Sequence, residues 1–210
     1  MKLKIETFVV GLLQANCYVL WEPKTLEGVI IDPGDDAEKI INFVKKKKLS
    51  IPFILNTHGH IDHIGGNTYA KDTLHSKIGI HKLDAILLSN SILCGAGSFE
   101  LSFIEHSPDF FLSEDKEIEL SNFSIKTIHT PGHTQGGVCF FIKEDNLLFS
   151  GDTLFCGSVG RTDLPGGSWE QLKTSIEDKL FVLDENTLVF AGHGETTTIR
   201  DEKRNNPFFL

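Results

Sequence analysis

Residues 57–63 have the sequence THGHIDH, which constrains the fold of this chain more than any other feature. Four side chains in this segment can bind a transition metal: His58, His60, Asp62 and His63. The segment follows an apolar run at residues 51–55 that is typical of a buried strand. Because alternate residues of an extended chain point the same way, His58 and His60 should face one side. A polar loop rich in histidine is the alternative, but this spacing directly after a strand favours a metal site.

Three later strands are predicted to end in the same manner, with a metal-binding side chain beside a glycine. They are residues 122–129, 146–150 and 187–191, and they lead to His133, Asp152 and His193. Functional groups of α/β proteins collect outside the carboxyl ends of the strands. Any one of these residues could be an ordinary surface or core residue, but four similar strand ends together predict one site. Imidazole and carboxylate ligands suit zinc, iron and manganese.

Length and composition indicate one enzyme domain that spans residues 1–210. Of the 210 residues, 40% are hydrophobic and 23% are charged, values typical of a globular protein with one sizeable core. Strands are predicted at residues 3–10, 16–21, 28–32, 51–56 and 78–81 in the first half. Helices are predicted at residues 36–47, 65–71, 82–89 and 168–180, with a short terminal helix capped at 196–198. Residues 82–115 are the least regular, and we interpret them as an insertion or a lid over the site.

Charge and hydropathy bear on the partners of the protein. The formal net charge is −9, so an acidic surface disfavours nucleic acid and anionic membranes as partners. No segment approaches the roughly eighteen apolar residues of a membrane span, and the first residues lack an apolar signal core. We therefore expect a cytoplasmic protein. The cysteines are widely spaced and should be reduced thiols: Cys17, Cys94, Cys139 and Cys156.

The full set of candidate ligands resembles the HxHxDH…H…D…H pattern of the metallo-β-lactamase superfamily. The matching residues are His58, His60, Asp62, His63, His133, Asp152 and His193. The flanking segments HTPGHTQGGVCF, FSGDTLF, GRTDLPGGSWEQL and VFAGHGETTTI are similar to its glyoxalase II-like branch, and the similarity runs over residues 4–209. The resemblance implies an α/β fold, a four-layer αββα sandwich in which two mixed β-sheets pack face to face between helices.

The same resemblance implies two divalent cations, with zinc as the first choice and iron or manganese as alternatives. By the family pattern, the first ion binds His58, His60 and His133. The second ion binds Asp62, His63 and His193, and Asp152 bridges both. The implied nucleophile is a metal-bridging hydroxide, because a bound dication lowers the pKa of water to about 7. Asp62, which would orient this hydroxide, and Asp152 are the implied catalytic residues.

The glyoxalase II-like resemblance implies a small-molecule thioester substrate, typified by the glutathione derivative S-lactoylglutathione. Long members of that branch carry a helical C-terminal domain that grips glutathione, whereas this sequence is similar to a shorter, single-domain branch. Arg161 and Asp163 are candidate substrate contacts in the GRTD segment. The alternative for this pair is a salt bridge that fixes the loop after Asp152. The oligomeric state is not predicted.

Three other functions fit parts of the pattern. One is an iron-dependent persulfide dioxygenase, which uses one iron and carries a different motif where this chain has GHGE at residues 192–195. The second is a lactonase or other ester hydrolase on the same fold, and the third is a non-catalytic metal-binding module. Antibiotic hydrolysis is not expected, because Asp152 stands where zinc β-lactamases that resemble this pattern carry cysteine. His60 stands where oxygen-reducing diiron relatives carry glutamate, which argues against electron-transfer chemistry.

Overall fold

Two mixed β-sheets form the centre of the computed structural model, which describes residues 3–98 and 103–210. The first sheet comes from the N-terminal half and keeps its strands in chain order. Its strands are β1 (Lys4–Val10), β2 (Ala15–Trp21), β3 (Glu27–Ile31), β4 (Ser50–Leu55), β5 (Lys77–His81) and β6 (Phe110–Leu112). Strands β1 to β3 are antiparallel, and β3 to β6 run parallel.

The second sheet comes from the C-terminal half. Its strands are β7 (Ile118–Glu119), β8 (Ser124–His129), β9 (Val138–Ile142), β10 (Leu147–Gly151), β13 (Leu188–Ala191) and β14 (Thr197–Thr198). A separate ribbon is formed by β11 (Leu154–Phe155) and β12 (Ser158–Val159). The order is β14-β13-β10-β9-β8-β7, and only the β10–β13 pair among these described strands is parallel.

The helices cover the outer faces of the two sheets. Those beside the first sheet are α1 (Ala37–Lys47), α2 (Ile61–Ile64) and α3 (Asn67–Leu74), with 3₁₀ helices at Lys82–Ser89 and Ala96–Ser98. Those beside the second are α4 (Trp169–Ser175), which continues as a π-helical turn at Ile176–Leu180, and α5 (Ile199–Asn205). The side chain of Ser168 caps α4. That of Thr198 caps α5, as the sequence predicts.

Alternating side chains along the strands produce the layers. Leu20 faces the space between the sheets, where it shares a core with Phe149, while its neighbour Val19 packs under the first group of helices. Leu148 points outward in the second sheet and packs with Leu172 of α4. Three apolar layers thus separate four layers of secondary structure, and the predicted αββα sandwich with two mixed sheets is confirmed.

Part of the irregular stretch at residues 82–115 is ordered against the ligand loop. Residues 99–102 lie outside the described residues. In a 3₁₀ helix, side chains three residues apart lie on the same side, and Asp84 and Leu87 accordingly both contact Gly59. The predicted helix at Lys82–Ser89 therefore exists in the tighter form. A lid function for this stretch stays a prediction.

Two general expectations can be compared with the structure. The four cysteines form no disulfide, and Cys156 is exposed whereas the other three are buried. Their reduced state stays a prediction. Over residues 3–98 and 103–210, no helix combines the length and apolar character needed to cross a bilayer.

Candidate metal centre

The carboxyl ends of four strands bring all the predicted ligands to one edge of the sandwich. The loop after β4 carries His58 and His60, and α2 begins immediately after His60. Asp62 and His63 therefore lie in a helical turn, where the sequence predicts only an irregular one. The loops after β8, β10 and β13 supply His133, Asp152 and His193. Sheet topology alone thus assembles residues that are up to 135 positions apart, from position 58 to position 193.

The first cluster consists of three imidazoles. One ring nitrogen from each of His58, His60 and His133 lies within 4.8 Å of the other two, and His60 Nδ1 is 2.9 Å from His133 Nε2. Burial, reinforced by the neighbouring His133, lowers the pKa of His60 to about 4. Burial also lowers the pKa of His58 well below its usual value. These rings are therefore neutral near pH 7 and can offer lone pairs to a cation.

The second cluster is richer in charge. It consists of Asp62, His63 and His193, whose ligand atoms also lie within 4.8 Å of one another. Asp62 Oδ2 is 3.3 Å from His193 Nε2 and 3.7 Å from His63 Nε2. Burial opposes protonation of His63, but the carboxylates of Asp62 and Asp152 raise its pKa to about 10. This cluster therefore holds a proton in a place where carboxylates would also attract a metal cation.

Asp152 lies between the two clusters. Its Oδ1 is 3.4 Å from His63 Nε2, and its Oδ2 is 3.5 Å from His133 Nε2 and 3.7 Å from His193 Nε2. Gly192 permits this placement, because a Cβ at that position would lie 2.2 Å from Asp152 Oδ1. One carboxylate thus faces both groups of ligands, as a bridging ligand must.

Three buried ligand atoms test whether the site fits cations. Within the described parts of the chain, His58 Nε2, His63 Nε2 and Asp152 Oδ1 have no hydrogen-bond partner. A buried polar atom without a partner costs roughly 1–3 kcal/mol, so three of them in one place need an explanation. All three belong to the predicted ligand set. The residues present therefore fit two metal ions.

Asp32, the last residue of the strand predicted at residues 28–32, orients the imidazoles from behind. Its Oδ2 accepts hydrogen bonds from His63 Nδ1 at 2.9 Å and from the Thr57 hydroxyl at 2.6 Å. Because the Thr57 hydrogen is engaged there, His58 Nδ1 must donate to Thr57 Oγ1, at 3.1 Å. Both rings consequently direct Nε2, rather than Nδ1, toward the site.

Asp32 is not itself a ligand in this arrangement. One of its oxygens lies within 4.8 Å of a ring nitrogen of His58 and of a ring nitrogen of His63. However, Asp32 bonds the Nδ1 side of His63, away from Asp62 and Asp152, and it also accepts from the Thr57 backbone N–H at 2.8 Å. Metal-binding histidines commonly donate a hydrogen bond from their second nitrogen to a carboxylate. The expectation of such a partner is the signal that could have pointed to Asp32 in the sequence.

Arg161 contributes to the site through its backbone. Its carbonyl oxygen accepts from His133 Nδ1 at 2.8 Å, which directs His133 Nε2 toward the first cluster. The guanidinium instead makes two hydrogen bonds of 2.7 Å to Asp163, and both side chains are more than half exposed. The hydrogen bonds from Arg161 lower the pKa of Asp163 to about 2. The structure thus contains the salt bridge given above as the alternative, and substrate binding by this pair stays a prediction.

Two further residues, Asn16 and His129, form hydrogen bonds with the loops that carry the ligands. Asn16, which was missed, donates from Nδ2 to the carbonyl groups of Ala191 and Gly194, both at 3.0 Å, and so holds the turn that carries His193. His129 is the last residue of β8 and precedes His133 by four residues. It stacks on His81 with ring centroids 4.1 Å apart, and its Nε2 bonds the Gln135 carbonyl.

Comparisons with known proteins show similarity over nearly the whole chain. The sequence model of the metallo-beta-lactamase superfamily matches residues 10–193. Hydroxyacylglutathione hydrolase GloC of Haemophilus influenzae is 38% identical over 209 residues, which cover 98% of each chain. The solved structure of BLEG-1, described as a B3 metallo-beta-lactamase, has a TM-score of 0.94 and 37% identity over 99% of this chain and 100% of that one. TTHA1623 in a di-iron-bound form has a TM-score of 0.85 and 36% identity over 97% and 99%.

Proposed function

This chain belongs to the metallo-β-lactamase superfamily, and from that premise we propose that it is a dinuclear metal-dependent hydrolase of thioesters. The observation that carries the dinuclear part is the position of Asp152 between the two ligand clusters. It is supported by the three buried ligand atoms that have no hydrogen-bond partner in the described residues. The thioester part is supported by the similarity to a hydroxyacylglutathione hydrolase over 98% of both chains. A glutathione thioester such as S-lactoylglutathione is the proposed substrate.

The ligand set defines which residues would hold the ions. His58, His60 and His133 would bind one, Asp62, His63 and His193 the other, and Asp152 both. Bound there, the cations would supply Lewis acidity that makes water nucleophilic near neutral pH and polarises a carbonyl. We propose zinc as the metal. Iron is an alternative, because a similar structure is described in a di-iron-bound form and because this ligand set suits both metals.

Differences in burial indicate the side from which a substrate reaches the site. The side chains of Asp62 and His193 are 16% and 28% exposed, whereas that of His63 is fully buried. Asp62 therefore presents a carboxylate at the open rim, where it can accept a hydrogen bond from the attacking water and orient it. Asp152, at 12% exposure, lies deeper between the clusters.

The chemistry of thioester cleavage matches these groups. Water adds to the carbonyl carbon, and the C–S bond breaks with its electron pair leaving on the sulfur as a thiolate. The acyl group becomes a carboxylate, and the two protons of the water pass to solvent. A thiolate is a weak base, because thiols have a pKa of about 8.5. It can therefore leave without a strong proton donor. The reaction thus requires an oriented water and a polarised carbonyl, which this ligand arrangement can provide.

The test is hydrolysis of S-D-lactoylglutathione by the purified protein, before and after chelation and after Zn²⁺ is restored. We expect metal-dependent turnover with kcat/KM of ~10⁴ M⁻¹s⁻¹ or more. A lactone, and glutathione persulfide with oxygen uptake, should be tested in parallel. Negligible thioester turnover by metal-loaded protein would reject the proposed substrate class, and turnover of another compound would identify the alternative.

β-Lactam hydrolysis is a second candidate because of one comparison. The similarity to BLEG-1 extends over 99% of this chain at 37% identity, and that protein is described as a metallo-beta-lactamase. This observation weakens the expectation drawn from Asp152 in the sequence. A chromogenic cephalosporin assayed on the same preparation decides between the two. Cephalosporin turnover far above thioester turnover would replace the thioester proposal.

The remaining proposals concern the surroundings of the enzyme. We propose a small-molecule partner rather than nucleic acid or a membrane surface, supported by the net charge of −9. A cytoplasmic location is proposed with it, because glutathione thioesters and reduced thiols belong to a reducing compartment.

A further inference from the structure

A second buried carboxylate, Asp84, lies behind the ligand loops and is not part of the ligand set. It belongs to the 3₁₀ helix Lys82–Ser89, and only 1% of the residue is exposed. Its Oδ2 accepts from the Gly59 N–H at 3.0 Å and from the Thr134 hydroxyl at 2.7 Å, and its Oδ1 accepts from the Gly136 N–H at 2.6 Å. Burial of a carboxylate is unfavourable unless it is hydrogen-bonded, so these three donors account for its position.

The donors to Asp84 adjoin the ligands of the first cluster. Gly59 stands between His58 and His60, and Thr134 directly follows His133. Gly59 lies 25 residues from Asp84, and Thr134 lies 50 residues away on a loop of the other sheet. One carboxylate therefore links the two loops, from different sheets, that must meet to complete the His58–His60–His133 cluster.

Close packing makes this link rigid. A Cβ at Gly59 would lie 2.4 Å from the Leu87 side chain, one turn of the 3₁₀ helix beyond Asp84. A Cβ at Gly136 would lie 2.6 Å from Asp84 Oδ1. Both ligand loops therefore approach this helix so closely that only glycine fits. The loops cannot move apart without breaking the hydrogen bonds to Asp84.

Asp84 and Asp32 support the site in different ways. Asp32 bonds the ring of His63 directly, so it fixes the orientation of one ligand. Asp84 bonds two backbone N–H groups and a hydroxyl, so it fixes the distance between two loops. Within the described residues, the Asp84 carboxylate forms no ion pair. Its hydrogen bonds all come from the loops that carry His58, His60 and His133.

We propose that Asp84 is a positioning residue for the first cation, because it holds the His58–His60 segment and His133 at the separation that lets their three nitrogens meet. The inference concerns cation binding, and it stands whether or not the substrate is a thioester. It also gives the 82–98 stretch a supporting role beneath the metal loop.

The test is a Co²⁺ titration of metal-free protein, followed by d–d absorption and calorimetry. The wild type should bind two equivalents per chain. In Asp84→Ala, the affinity for one equivalent should fall by ~10–100-fold, the range for loss of an outer-sphere partner, with a changed absorption band. The other equivalent should bind as in the wild type. Asp84→Asn, which keeps one acceptor oxygen, and Thr134→Val should show smaller falls.

A second set of variants, made in His193→Ala protein, shows which of the two clusters loses affinity. In His193→Ala the remaining equivalent occupies the first cluster, so adding Asp84→Ala should weaken that one. Asp109→Asn is the matched control, because Asp109 accepts from the Ile78 N–H at 2.8 Å and from Lys71 Nζ at 2.7 Å. Within the described residues, its side chain makes no hydrogen bond to a ligand loop. Both equivalents should bind normally in that control.

Two results would overturn the proposal. One is wild-type binding of both equivalents by Asp84→Ala and Asp84→Asn. The other is equal weakening of both equivalents in proportion to a fall in the melting temperature of the metal-free protein, which would show a merely structural role. If Asp84→Ala does not fold, the metal affinities and melting temperatures of Asp84→Asn and Thr134→Val are compared in the same way.

Discussion

The two ligand clusters share Asp152 but differ in the way each is prepared for a cation. The first consists of three imidazoles, and burial lowers the pKa values of His58 and His60. The second contains a carboxylate, Asp62, and its His63 has a raised pKa and is protonated without metal. A cation at the second cluster must displace that proton. The first cluster thus depends on geometry and the second on charge.

This difference explains why different groups support the clusters. Neutral imidazoles attract a cation only where their lone pairs converge, so the loops of the first cluster have to be held at a fixed separation. Charged ligands attract a cation from further away, and the second cluster chiefly needs its histidine oriented, which Asp32 does at 2.9 Å. Mutations can therefore be chosen that affect one cluster, the other, or both.

The largest effect is expected where the clusters meet. Asp152→Ala should remove both ions and lower kcat/KM on the order of a thousandfold, because metal Lewis acidity is worth several kcal/mol in the transition state. Metal content by elemental analysis and thioester turnover should fall together. Near-normal turnover in this variant would contradict the bridged arrangement.

Single-cluster variants should separate the two ions. His58→Ala should lose the ion of the first cluster and His193→Ala the ion of the second, so that each variant retains about one equivalent. Elemental analysis after dialysis measures the stoichiometry, with Asp109→Asn as the control that keeps two. Loss of both ions in each variant would mean that the clusters bind metal only as a unit.

An intermediate effect is expected from the carboxylate behind the second cluster. Asp32→Asn cannot stabilise the Nδ1–H of His63 as a charged acceptor does, so affinity for one equivalent should fall by ~10–100-fold. Co²⁺ titration in the His58→Ala background should show the loss, because only the second cluster remains there. A fall confined to the first cluster would reverse the assignment of Asp32.

The smallest effect is expected at the exposed ion pair between Arg161 and Asp163. Arg161→Ala removes an exposed side chain, and because exposed ion pairs contribute little to stability, the melting temperature should barely change. Both metal ions should remain, since the Arg161 carbonyl still accepts from His133. A raised KM with unchanged kcat would support substrate binding by Arg161. An unchanged KM would leave the side chain a loop-fixing role only.

The ligands could be predicted from the sequence because each follows a strand whose apolar pattern is local. Asp32 and Asp84 could not be identified in this way, since their partners lie 25 to 52 residues away and leave no periodic signal. Strands of two residues, such as β11 and β14, are too short to show alternation. Helix α2, with four residues, is likewise too short for helical periodicity to be visible.

The central claim is that both clusters must be filled for catalysis, and it is tested most directly by titrating metal-free protein with Zn²⁺ during S-D-lactoylglutathione hydrolysis. The account predicts full turnover only as the second equivalent per chain binds. Full turnover at one equivalent would contradict it and would favour a mononuclear enzyme.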